Sequence, residues 1–168
     1  EWQAVFEAYK AYPEYQKLNQ GMDLGGFKQI FFWEYFHRVF GRLIGLVFFV
    51  PLVFFFARGA VGGVRKIQYT IALVLGGLQG LLGWYMVKSG LVDRPDVSHY
   101  RLAAHLLLAI VVMGYLMWLA LDLQRPKTAE APSGLAVWSW ALMGLVILQI
   151  LYGAFTAGLN AGYGFNTW

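Results

Sequence analysis

Four stretches of this chain, at roughly residues 29–57, 67–88, 99–122 and 135–158, stay apolar for longer than the ~20 residues a helix needs to cross a ~30 Å hydrocarbon layer. This constrains the architecture more than any motif does. Inside hydrocarbon each backbone amide and carbonyl must find its partner within the segment, so each stretch reads as an α-helix. The fold class expected is an all-α integral membrane protein with four transmembrane helices visible, and those spans fill most of the 168 residues. Composition agrees, because 59% hydrophobic residues against 13% charged ones lies far outside the range of soluble domains. The absence of cysteine excludes disulfide frameworks, thiolate metal sites and redox thiols. The chain opens on Glu1, and its first 28 residues are polar and aromatic without a signal-peptide pattern, so it reads as a piece of a longer protein.

Charge orients the spans. The connection at 58–66 carries Arg58, Arg65 and Lys66 with no acid, and the one at 122–134 sets Arg125 and Lys127 against Asp122 and Glu130. The connection at 89–98 is acidic on balance, with Asp93 and Asp96 against Arg94. The positive-inside rule places the first two in the cytoplasm or mitochondrial matrix and the third on the outer side, together with residues 1–28 and the C-terminal segment. The organisation expected is an outer segment at 1–28, transmembrane helices at 29–123, an inner connection at 124–134, and a further helix with its outer extension at 135–168. The formal charge of +4 sits at helix ends instead of forming one stripe, which favours anionic membrane lipid and argues against nucleic acid.

The first span contains residues that hydrocarbon does not tolerate idly. FFWEYFHRVFGRLIGLVFF, at 31–49, sets Glu34, His37, Arg38 and Arg42 among phenylalanines and leucines. Ionisable groups within spans are functional candidates by default. His37 lies nine residues beyond Lys28, ~13 Å along a helix, and His105 lies six beyond His99, ~9 Å. Both helices run inward and one helix separates them in sequence, which lets two imidazoles reach one object in the outer half of the membrane. Iron porphyrin suits that arrangement, since haem iron takes axial imidazoles. His37 and His105 are therefore the candidate metal ligands. Gly41 and Gly45 follow His37 at i+4 and i+8, and serve either as room for a flat ring or as an ordinary small-residue helix contact. His99, at the water boundary beside Tyr100, reads as a solvated loop histidine.

Glu34 is the candidate catalytic group. It stands three residues before His37 on the same face, where a carboxylate can take a proton or stabilise a developing cation at a porphyrin edge. Its spacing equally suits an i, i+4 ion pair with Arg38. Arg38 and Arg101 join Gly41 and Gly45 as cofactor-binding candidates. Arg101 stands one turn before His105 and can either clamp a haem propionate or reach to the interface. Arg42, ~21 Å in from Lys28, is expected to face the bundle interior.

EYFHRVFGRLIG at 34–45, GLQGLLGWYMVKSGL at 77–91, YRLAAHL at 100–106 and GAFTAGLNAGYGFNTW at 153–168 together closely resemble the heme A synthase family, in its mitochondrial and proteobacterial branch, which lacks the cysteine pair of the first outer loop. The resemblance covers nearly the whole chain. It implies an oxidoreductase that converts a methyl group of heme O to a formyl group, making heme A for terminal oxidases, with water as the oxygen source. It places the substrate haem between His37 and His105 and the chemistry at Glu34. Members have eight spanning helices in two pseudo-symmetric four-helix bundles, each with a histidine pair. The present residues would then run from the outer loop after the first helix to just past the fifth, and haem b would belong to the second half. Implied partners are heme O, a heme O synthase, an electron acceptor and further copies of the chain. The implied location is the bacterial cytoplasmic membrane or the mitochondrial inner membrane.

Two rival classes use some of the same residues. A b-type cytochrome subunit carrying electrons would also pair imidazoles in a bundle, but needs no Glu34 beside one of them. A scaffold protein would explain the glycines but not two histidines at matched depth.

Overall fold

The structure is a computed structural model that describes residues 1–90, 96–124 and 133–164. Among the described residues seven helices follow one another: α1 (Trp2–Tyr9), α2 (Pro13–Lys17), α3 (Leu24–Ala57), α4 (Gly63–Gly90), α5 (His99–Gln124), α6 (Ser133–Gly158) and α7 (Ala161–Gly164). Of these, α3 to α6 are long and apolar enough to cross a membrane, and the protein is a multi-pass membrane protein of the all-α class. Asp93 and Arg94 of the acidic connection, Arg125, Lys127 and Glu130 of the basic one, and Trp168 lie outside the described residues. The chain divides into two compact units, Glu1–Val97 and Ser98–Trp168.

In the first unit α3 is the backbone of the architecture. It begins five residues before the expected start at 29, because Asp23 caps it: the side chain of Asp23 accepts the Gly26 amide at 2.8 Å. It runs for 34 residues, ~51 Å, well beyond the ~30 Å apolar layer. Pro51 lies within the helix, which continues to Ala57; a lost backbone bond is tolerated in a span when neighbouring groups and local adjustment make it good. The basic end is closed by Gly59, whose φ of 64° is the left-handed conformation that spares only glycine a steric cost. The amides of Gly59 and Ala60 donate back to the carbonyls of Phe56 and Phe55 at 3.1 and 3.0 Å, the reciprocal pair that ends helices at a left-handed residue. α4 then packs back along α3, burying Leu52 and Ala72.

Residues 1–23, expected as part of an outer connection, carry α1 and α2 and fold onto the start of α3 through aromatic rings. Phe27 lies 5.2 Å from the Phe6 ring and 5.0 Å from Tyr9, and Trp2 meets Phe31 edge-on at 5.2 Å. Phe6 and Phe27 are both buried, at 4% exposure. An eight-residue helix has no stability of its own, so this cluster is what holds it. Phe27→Ala should cost about 3–5 kcal/mol of docking. Trypsin cleavage at Lys10 and Lys17 in the folded protein should accelerate by orders of magnitude, and unchanged cleavage would show that the rings do not hold the segment.

The second unit is an antiparallel hairpin of α5 and α6 with α7 at its end. Its closest approach is at Gly158, where an added Cβ would lie 2.8 Å from both Cα and Cβ of His99. Backbone cannot yield there as a side chain could. Gly158→Ala should force the helices apart and cost about 1–3 kcal/mol, read as a lower thermal midpoint in detergent. Ala103, Leu119 and Ala154 complete a thin core. Most other apolar side chains on the four spans face outward, as expected where lipid or further helices replace water.

Candidate functional site

Glu34, His37 and Arg38, functional candidates of the first unit, gather in the N-terminal half of α3. Arg38 Nη2 donates to Glu34 Oε2 at 3.0 Å, with about half of each side chain exposed. The i, i+4 ion pair that their spacing allows is thus formed. The same two side chains and His37 line one wall of a cavity of about 280 Å³, which Glu14 of α2, Val87 of α4, Asp96 and Val97 complete. A cavity of this size lies just below the usual range for enclosing a whole small-molecule ligand.

Glu14 arrives there by aromatic packing. Pro13 opens α2 at a position where its missing amide hydrogen costs nothing. Tyr15, on the same short helix, packs edge-on against Phe6 at 6.0 Å and Tyr9 at 5.7 Å. Asn19 Nδ2 donates to the Tyr9 hydroxyl at 2.8 Å, and that hydroxyl bonds the Glu14 carboxylate. Burial pushes the Glu14 carboxyl above the usual glutamate value of 4.5; the charge of Glu34 and, more weakly, that of Asp96 push the same way, against the Tyr9 bond. Burial likewise raises the Tyr9 hydroxyl, with Asn19 opposing.

Twenty residues, ~30 Å of helix, separate His37 from the basic end at Ala57, and Arg42 lies ~23 Å from that end. Arg42 is exposed and makes no hydrogen bond or ion pair among the described residues. An added Cβ at Gly41 or Gly45 would meet nothing within 4 Å, so neither serves as a helix contact here, and Gly76 and Gly80 of α4 are equally open. Among the described residues nothing packs against the backbone at the two glycines below His37.

In the second unit Arg101 and His105 stand one turn apart on α5, both half-buried. His99 differs from the expected loop histidine: it is the first residue of α5, half-buried, with its ring 4.0 Å from Tyr100 and edge-on to Phe155 at 5.8 Å. Packing against the end of α6 explains it.

Among the described residues no three His, Asp or Glu side chains are grouped to hold a metal ion. Haem iron takes imidazole ligands, so His37 and His105 are the residues that would hold such a group. The open backbone at Gly41 and Gly45 leaves room for a planar ring. Sequence reasoning missed Glu14 and Asp96. The Tyr-Pro-Glu start of a helix is a readable signal for α2, but nothing local says that Glu14 lines the same cavity as Glu34.

Among known proteins, a protein named heme A synthase from Parvibaculum lavamentivorans is 50% identical over 167 residues, 99% of this chain and 48% of the relative. Proteins of the same name from Rhodospirillum centenum and Flavobacterium psychrophilum are 49% and 46% identical, covering 100% and 99% of this chain and 46% and 50% of themselves. The chain therefore spans about half the length of the curated relatives it matches. No solved structure matches. The family described as cytochrome oxidase assembly protein, COX15-CtaA, matches residues 1–168, and the chain belongs to that family.

Proposed function

We propose that the protein containing this chain is a heme A synthase, that residues 29–123 belong to its substrate-haem half, and that residues 135–168 open its second half. The observation that carries the reading is the meeting of Glu34, His37 and Arg38 at one cavity on α3, in a chain about half identical to proteins of that name. The reaction oxidises a methyl group of heme O by successive hydroxylations: R–CH3 + H2O gives R–CHO + 4 H+ + 4 e−, the electrons passing to an acceptor. Iron in the substrate supplies the redox chemistry. The chain's part is to hold and orient the ring and to move protons. His37 and His105 would ligate the iron, Gly41 and Gly45 leave space for the ring, and Arg38 and Arg101 hold propionates. Glu34 takes protons released at the methyl group, and its ion pair with Arg38 orients its carboxylate. The cavity takes the ring edge, which is where a methyl group lies.

In the same reading the full protein has eight spanning helices in two bundles, with haem b in the second. Its membrane is the bacterial cytoplasmic or mitochondrial inner one, with residues 1–28 outside, and a heme O synthase supplies its substrate. The test is to express the full-length gene in cells that make heme O but no heme A and to separate the extracted haems. Heme A is expected. Heme O alone, with the protein present in the membrane, would contradict the proposal.

A further inference from the structure

The reaction just proposed releases four protons at a methyl group facing a cavity, and they must leave toward water. Around that cavity the groups able to carry them come from three segments besides α3. Glu14 is presented by α2, the Tyr9 hydroxyl behind it by α1, and Asp96 by the segment after α4, while α3 contributes Glu34, His37 and Arg38; Lys17 is the cation on Glu14's own helix. Glu34 carries the ion pair to Arg38. Glu14 is half-buried and bonded to Tyr9, while Asp96 is exposed.

We propose that Glu14 is a proton-relay residue for Glu34, passing protons from the cavity to water on the outer side. The proposal rests on the heme A synthase reading. In each transfer the Glu34 carboxyl gives its proton to the Glu14 carboxylate and returns to its anion, and Glu14 then releases the proton to outer water; no electron moves. The geometry suits this, because among the described residues Glu14, Glu34 and Asp96 line one cavity with the guanidinium of Arg38, and one proton held among the carboxylates relieves the repulsion of like charges. Burial and the Glu34 charge hold Glu14 above the usual 4.5, closer to working pH, where a relay exchanges protons most readily.

The same direction decides what a neutral replacement does to the fold. A carboxyl whose folded value is raised stabilises the docked segment fully below its unfolded value, and loses that contribution as pH rises through the raised folded value. Glu14→Gln is neutral at every pH, so it should leave α1 and α2 docked.

The test uses the full-length protein in membranes, following heme A formation against pH. In wild type the rate should rise with pH as Glu14 becomes free to accept a proton, with an inflection above the ordinary glutamate value. Glu14→Gln should slow the reaction about tenfold or more and remove that limb, and Glu14→Asp should restore part of both. Difference infrared spectra across the same range should show a carboxylic C=O band that Glu14→Gln lacks, a readout independent of turnover. Wild-type rate and profile in Glu14→Gln would overturn the relay. So would an equal slowing at all pH with the infrared band intact. If wild type itself made no heme A, the functional reading would fail, an outcome distinct from failure of the relay.

Discussion

Glu34→Gln in the full-length protein is expected to lower heme A formation by ~10²–10⁴, with heme O or a hydroxylated intermediate accumulating in its place. Magnitude decides between the two roles its position allows. An exposed i, i+4 ion pair contributes only about 0.3–0.5 kcal/mol, far too little to stop a reaction when it is broken. Arg38→Gln breaks the same pair and keeps the carboxylate. If the pair were all that mattered, the two variants would behave alike; the account expects Glu34→Gln to be worse by at least tenfold, measured as heme A per unit of membrane protein.

His37→Ala carries the second large effect, and it separates binding from folding. The side chain is exposed at the rim of the cavity and makes no hydrogen bond or ion pair among the described residues. Truncating it removes nothing that holds α3 in place, so the thermal midpoint of the protein freed of haem should stay within the ±0.5 kcal/mol usual for surface changes. Substrate haem in the purified full-length protein should nevertheless fall to background. A variant that loses both its haem and its fold would make His37 a structural residue instead.

The spans were legible because a run of apolar residues long enough to cross a bilayer leaves the backbone one way to satisfy itself. The start of α3 was legible in principle as well: Asp23 before Leu-Gly-Gly is a capping pattern, and following hydropathy alone passed over it. Within one helix, spacing also sufficed. Three and four residues place Glu34, His37 and Arg38 together, and the structure forms the ion pair that this implies. What sequence could not supply were contacts made by folding back. Glu14 comes to line the same cavity as Glu34 because rings at positions 6, 9, 15 and 27 find one another, and no local pattern encodes that meeting.

The claim on which the rest depends is that His37 and His105 serve one and the same haem, the one whose methyl group is oxidised. Haems extracted from purified full-length protein, quantified as heme O plus heme A relative to haem b, address it directly in His37→Ala, His105→Ala and the double variant. Residues that act as a unit are not additive. Each single variant should therefore lose heme O and heme A to the level of the double variant, with haem b unchanged. Retention of wild-type heme O and heme A in either single variant, or loss of haem b in their place, would contradict the account.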